Sequence, residues 1–291
     1  MTEWREHLLV RPDLEMTWYE AGNGPMVVFL SGGPGDDHAY LRDVVEPLSD
    51  GFRWVLYDQR GTGRSRLARY DRETLHIERF LDDLESLQQE LGGEPLRLAG
   101  HSWGANLALL FAASHPQAVD RLALVSLGTL NEAFGAVARA NSEKPLTVAE
   151  RERRTQLRAE RDVALAAGDE GRLRAAFLEG AELGLRGSFF SPETAQRFFK
   201  VFSAGSAYEG RVAPNLLPTV QEIPLFELLP GFDAPTLVLY GYQDFEPITQ
   251  AYVLRELLPQ AELAFINECG HVPWWEQPDE FYRVLGEFLS R

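Results

Sequence analysis

The pentapeptide Gly100-His101-Ser102-Trp103-Gly104 constrains the fold more than any other part of this chain. It stands between a short apolar run, Leu96 to Ala99, and a longer one, Ala105 to Ala113, that is apolar on nearly all sides. The first reads as a buried strand and the second as a helix that must be central and covered. A chain passing from one to the other in five residues has to reverse sharply. Glycines flank the turn because side chains there would clash. Parallel sheets are built from strands that feed into helices in this way.

The same alternation runs through the first half of the chain. Leu14 to Tyr19, Met26 to Leu30, Phe52 to Tyr57 and Arg121 to Ser126 read as strands, and His38 to Leu48 as a helix. In Leu75 to Leu91, Ile77, Phe80, Leu81, Leu84, Leu87 and Leu91 recur at helical spacing, and Gly92-Gly93 ends the segment. From about Leu130 to Phe232 only helical signals appear. Thr147-Val148-Ala149-Glu150 is a capping box opening an Arg- and Glu-rich helix, and Ser191-Pro192 opens another. Alternation then resumes with strands at Thr236 to Tyr240 and Leu263 to Ile266 and a helix at Pro278 to Leu289. The expectation is an α/β fold with a mostly parallel central sheet flanked by helices. Residues 1–129 and 233–291 form its core domain, and 130–232 a helical cap inserted into it.

Composition narrows the function classes. A formal net charge of -16 disfavours nucleic acid and anionic membranes as partners, since phosphates recruit Lys and Arg. The polar stretch Met1 to Val10 has no apolar core of signal-peptide length, and the longest apolar run, Leu107 to Ala113, is too short to span a bilayer. The single cysteine, Cys269, excludes an intrachain disulfide. These features predict a cytoplasmic, unanchored protein. They set no oligomeric state.

Ser102 sits where a nucleophile elbow exposes its serine, at the carboxyl end of a strand and over a helix N-terminus that favours negative charge. A serine needs a base. Of His7, His38, His76, His101, His115 and His271, only His271 lies beyond the inserted segment, after the last strand. His101 adjoins the serine and should point away from the base position. Asp244 follows the strand Thr236 to Tyr240 and is the candidate orienter of the base. Glu246 is the fallback, and Asp233 is weaker because it precedes the strand. The order Ser, Asp, His fits this arrangement. Backbone N–H groups of Gly33, in Ser31-Gly32-Gly33-Pro34-Gly35, and of Trp103 are candidates for an oxyanion hole. The charges of Asp58-Gln59-Arg60-Gly61-Thr62-Gly63-Arg64-Ser65 are read as pinning loops rather than acting on substrate. Cys269 is read as a small buried residue. No His/Cys/carboxylate cluster has metal-ligand spacing, and the chemistry requires no cofactor.

Together these segments resemble the proline iminopeptidase family of α/β-hydrolase-fold serine hydrolases. The family's oxyanion-loop motif is HGGPG, where this chain has SGGPG at Ser31 to Gly35; its Asp-Gln-Arg-Gly-x-Gly-x-Ser motif is matched in full from Asp58 to Ser65; and its elbow is similar to Gly100-His101-Ser102-Trp103-Gly104. The resemblance implies release of an N-terminal residue, often proline, from short peptides, with cap glutamates holding the substrate α-ammonium. The family's Glu-Asn-His-Tyr-Phe-like run is absent. Glu179, Glu182, Glu222 and Glu227 are the candidates that remain for that contact, with Glu246 as a further substrate-binding candidate. Trp103, Phe189 and Trp274 are candidate pocket-lining residues. Two other readings stay open beside the aminopeptidase: a carboxylic ester or related small-molecule hydrolase using the same three residues, and a non-catalytic hydrolase-fold receptor or scaffold.

Overall fold

The structure, a computed structural model, describes residues 3–205 and 208–291. Met1 and Thr2, which begin the polar N-terminal stretch, and Ser206 and Ala207 of the inserted segment lie outside the described residues. An eight-stranded sheet runs through the molecule in the order β1-β2-β4-β3-β5-β6-β7-β8. Its strands are β1 (Arg5–Val10), β2 (Glu15–Gly22), β3 (Met26–Leu30), β4 (Arg53–Tyr57), β5 (Leu96–His101), β6 (Val119–Val125), β7 (Thr236–Gly241) and β8 (Ala261–Ile266). The pairings of β1 with β2 and of β2 with β4 are antiparallel, and all the others are parallel.

Successive residues of a strand point to opposite faces, and both faces of this sheet are covered. Val28 and Leu30 of β3 pack in one core cluster, with Phe80, Leu84 and Leu109, from α2 (Ile77–Glu90) and α3 (Trp103–Ser114). Val27 and Phe29 pack in the other, with Leu41 and Val44 of α1 (Ala39–Val45) and Phe281 and Leu285 of α12 (Pro278–Ser290), which follows the short α11 (Pro273–Glu276). This two-sided burial is why the strands read as unbroken apolar runs. It also explains α3, whose Leu107, Ala108, Leu109, Phe111 and Ala112 are wholly buried.

Between the paired strands β6 and β7 the chain leaves the sheet and forms α4 (Glu132–Glu143), α5 (Val148–Ala167), α6 (Glu170–Leu185), α7 (Pro192–Gly205), α8 (Val212–Val220) and α9 (Leu225–Leu228). No strand interrupts them among the described residues. Thr147 Oγ1 accepts from Glu150 N–H and Glu150 Oε2 accepts from Thr147 N–H, completing the capping box that opens α5. Ser191 Oγ accepts from Thr194 N–H at the start of α7. No helix among the described residues is long and apolar enough to cross a membrane.

The structure corrects the sequence reading at three places. β1 departs from the expectation: it is the sheet's edge strand, mostly exposed with no residue fully buried, and its apolar alternation is weak. α10 (Thr249–Leu257) was also missed, because it buries only Gln250, Ala251 and Leu254. The segment expected as one helix from His38 to Leu48 is α1 followed by a single 3-10 turn, Glu46–Leu48, where Pro47 interrupts α-helical bonding.

Candidate active site

Strained backbone collects at the carboxyl ends of the parallel strands. Among the described residues, three non-glycine residues have positive φ: Ser102 after β5, Ser126 after β6 and Glu268 after β8. Ser102 has φ 55° and ψ −121°, a conformation that costs an L-residue about 1–3 kcal/mol. The turn that imposes it is tight. A Cβ on Gly100 would stand 2.3 Å from Gly104 O, and one on Gly104 2.2 Å from Leu30 O. Both glycines therefore follow from close backbone approach, and the serine is presented at the N-terminus of α3.

Two other loops meet Ser102 there. After β7, Gln243 and Asp244 turn toward the loop after β8. Gln243 N–H donates to Cys269 O at 2.8 Å, and Cys269 N–H donates to Gln243 Oε1 at 2.9 Å. This reciprocal brace fixes the spacing between Asp244 and His271. Asp244 Oδ1 and Oδ2 lie 2.9 and 3.1 Å from His271 Nδ1. Both side chains are buried. A carboxylate only accepts, so Nδ1 carries the proton and Nε2 keeps its lone pair. Burial opposes charge on His271, but Asp244 outweighs it and raises the imidazole above its usual value.

Glu246, the fallback orienter, does not touch His271 Nδ1. Its buried carboxyl is pushed up to about 8, chiefly by desolvation, with the His271 charge opposing and Asp244 adding. It is therefore a neutral acid at pH 7, and Asp244 is the anion that faces His271.

His101 does point away from the base position. Its Nε2–H donates to the His271 carbonyl at 3.0 Å, which leaves Nδ1 to accept from the Tyr40 hydroxyl at 2.9 Å. Desolvation, aided by the neighbouring His271 charge, holds His101 well below the usual histidine range and hence neutral. The Tyr40 oxygen in turn accepts from Gly32 N–H at 2.7 Å. This chain engages the Gly32 amide and leaves the next one, Gly33, without a backbone acceptor among the described residues. Trp103 N–H, at the first position of α3, has no intrahelical acceptor.

The run from Asp58 to Ser65 pins loops around this centre. Gln59 Nε2 donates to Ser31 O at 2.8 Å, and Gln59 Oε1 accepts from Trp103 Nε1 at 2.9 Å. One amide thus ties the Ser31 to Gly35 loop to the elbow. Asp58 accepts from His38 Nδ1 and Arg64 N–H, and the fully buried Arg60 makes a two-pronged pair with Asp83 at 2.7 Å. Cys269 is wholly buried, and desolvation raises its thiol far above the usual range.

Ser102 and His271 open onto one cavity of about 420 Å³ between the sheet's carboxyl edge and the inserted helices. Gly32, Gly33, Tyr40, His101 and Trp274 line the sheet side, and Leu157, Phe177, Phe198 and Phe202 the helical side. Trp103 and Phe189 are buried but do not reach the cavity.

The structure places the candidate cap glutamates away from the cavity wall. Glu179 lies on the outer surface in a two-pronged pair with Arg153 at 2.7 Å, and Glu182 is exposed outside the cavity wall. Glu222 pairs with His76, and Glu227 is exposed on α9. The charged groups that do line the cavity are Asp36 and three arginines, Arg154, Arg158 and Arg161. The sequence reading had passed over these arginines, although their spacing of four and three residues along α5 marks one helix face.

Comparison with known proteins agrees with this architecture. A model of the family described as alpha/beta hydrolase fold matches residues 25–278. The chain is 26% identical over 283 residues to a proline iminopeptidase of Saccharolobus solfataricus, an alignment covering 93% of this chain and 86% of that one. Among solved structures, a proline iminopeptidase-related protein of Thermus thermophilus superposes with a TM-score of 0.73 at 23% identity, over 99% of this chain and 98% of that one. An esterase of Thermogutta terrifontis superposes with a TM-score of 0.67 at 24% identity, over 98% of each chain.

Proposed function

The chain belongs to the α/β-hydrolase fold family, and on that premise we propose that it is a serine hydrolase working through an acyl-enzyme, with Ser102 as nucleophile, His271 as base and Asp244 as its orienter. One observation carries this reading: a serine in elbow conformation opens onto the same cavity as a histidine whose Nδ1 is held by a buried aspartate. His271 Nε2 takes the proton from Ser102 Oγ as the oxygen adds to the substrate carbonyl. The oxyanion is met by the N–H groups of Gly33 and Trp103, held in place by the links from Tyr40 and Gln59. Protonated His271 then passes the proton to the leaving group, and water attacks the acyl-enzyme by the reverse sequence. Diisopropyl fluorophosphate tests the assignment directly. Ser102 Oγ should displace fluoride from phosphorus and gain one phosphoryl group per chain, located on the Ser102 peptide by mass spectrometry. A protein left unlabelled, or labelled elsewhere, would overturn it.

Two substrate readings follow. Release of an N-terminal residue is favoured by the proline iminopeptidase relatives. Hydrolysis of small carboxylic esters or related molecules is favoured by the cavity wall, where the cap glutamates are missing and arginines stand instead. We take the second as the reading the geometry supports best. An arylamide of free proline hydrolysed faster than 4-nitrophenyl hexanoate, with N-blocking abolishing its turnover, would restore the first.

The pH profile separates His271 from other bases. The base must be neutral, so kcat/KM toward a neutral ester should fall as pH drops through the His271 pKa. Because Asp244 raises that value, the midpoint is expected above the unperturbed histidine value of about 6.5. A profile flat down to pH 4 would remove His271 from the role.

A further inference from the structure

We infer that the cavity is built for an anionic substrate, one whose carboxylate is held by Arg154 together with Arg158 and Arg161; this deepens, and rests on, the serine-hydrolase reading above. The argument begins with charge. The chain has 44 acidic and 28 basic side chains, so a wall drawn at random would be acidic. Among the residues lining this cavity, three are arginines and one, Asp36, is a carboxylate.

Helix α5 sorts its arginines by side. Arg153, facing out, is neutralised by Glu179 and Glu160, each at 2.7 Å. Arg154, the next residue, turns into the cavity and has no carboxylate partner among the described residues; its Nη1 donates to Ser142 Oγ at 3.1 Å. Burial and the neighbouring Arg158 charge press its guanidinium below the usual value. Arg158 meets Glu143 only at 3.8 Å, and Arg161 meets the adjacent Asp162 at 4.0 Å. A half-buried guanidinium with no carboxylate partner keeps donors available to a ligand's acceptors. The planar fork fits a carboxylate two-pronged. Along the helix, Arg158 and Arg161 stand about 6 and 10 Å from Arg154, so the three form a cationic stripe through the wall rather than one point. Beyond Ser142 and Ser188 the remaining helical wall is mainly apolar, with Leu157, Phe177, Phe198 and Phe202. The ligand chemistry that fits is a short hydrocarbon acid carrying an ester or amide within reach of Ser102 and a separate carboxylate for the arginines.

The test uses three esters of matched length: 4-nitrophenyl hexanoate; mono-4-nitrophenyl adipate, with the anion on the acyl side; and the hexanoate ester of 3-(4-hydroxyphenyl)propionate, with the anion on the alcohol side. Wild type should favour one anionic ester over the neutral one. Arg154→Gln should cut kcat/KM for that ester about 10- to 100-fold, the value of a hydrogen bond to a charged group, and lower the ratio of anionic to neutral turnover. An unchanged circular-dichroism spectrum and retained labelling of Ser102 certify the fold. Arg158→Gln, at an exposed position, should move the ratio in the same direction by less. Adipate binding to Ser102→Ala, measured by calorimetry, gives a readout free of turnover and should weaken with Arg154→Gln. Equal wild-type rates on all three esters, or an unchanged ratio in Arg154→Gln, would overturn the inference while leaving Ser102 labelling intact. Adipate binding without labelling of Ser102 would instead sink the hydrolase reading and keep the anion site.

Discussion

Ser102→Ala is expected to lose about 10⁴- to 10⁶-fold in kcat toward its best ester while melting at or near the wild-type temperature. The two halves of that expectation have separate causes. Among the described residues no hydrogen bond ties Ser102 Oγ to the fold, and the positive φ is imposed by the backbone contacts of Gly100 and Gly104. Alanine therefore inherits the same conformation and the same strain, and stability has little reason to change. Activity has every reason to change, because the covalent path needs Oγ and a water in its place lacks the orientation that the elbow supplies. The residual rate should reflect the oxyanion donors and substrate positioning, so KM should move little. A variant within tenfold of wild type on every substrate would remove Ser102 from the mechanism, whatever the loops around it look like.

Asp244→Asn is expected to cost about 10⁴-fold in kcat with only a small change in KM. Asparagine keeps the size of aspartate, so the Gln243–Cys269 brace and the loop it fixes should survive. Its NH2 can face His271 Nδ1, however, and an imidazole accepting there must carry its proton on Nε2. The base then arrives at the serine already protonated. Removing the anion also removes the force that raises His271, so any remaining activity should show its acid limb shifted to lower pH. Glu246→Gln is the control. Burial pushes that carboxyl up to about 8, so most of it is neutral at pH 7 and an amide should leave kcat there nearly untouched. If Glu246→Gln proved the more damaging of the two, the roles of the two acids would have to be exchanged.

Much of this architecture is legible in the residues because it rests on periodicity and close approach. Strands buried on both faces leave continuous apolar runs, and β3, β5 and β7 were readable for that reason. Gly100 and Gly104 could be read because a turn with a Cβ inside 2.4 Å of backbone tolerates nothing else. The edge strand β1 left a faint trace, since solvent on one side relaxes the demand for apolar residues. The helical insertion was legible as helical but not in its facing. Arg153 and Arg154 are neighbours of the same type, and only the packing of α5 against α6 sends one outward to Glu179 and the other into the cavity. For the same reason the cap glutamates are candidates by sequence and stand outside the wall in the fold.

The peptide group of His271 is shared with the inserted segment. His271 N–H donates to Ser188 O at 2.7 Å, and Glu276 accepts from both Gly270 N–H and Ser191 N–H. A Cβ on Gly270 would stand 2.4 Å from Ser188 O. The insertion is thus mortised into the frame at His271, the proposed base. It cannot be exchanged like a cartridge: a segment grafted from a relative would have to present a carbonyl at the position of Ser188, or the histidine loop would lose its footing. Variation in what these helices recognise can therefore fall on either side of that joint, in α5 and α6 before it or along α7 after it, provided the joint itself is kept.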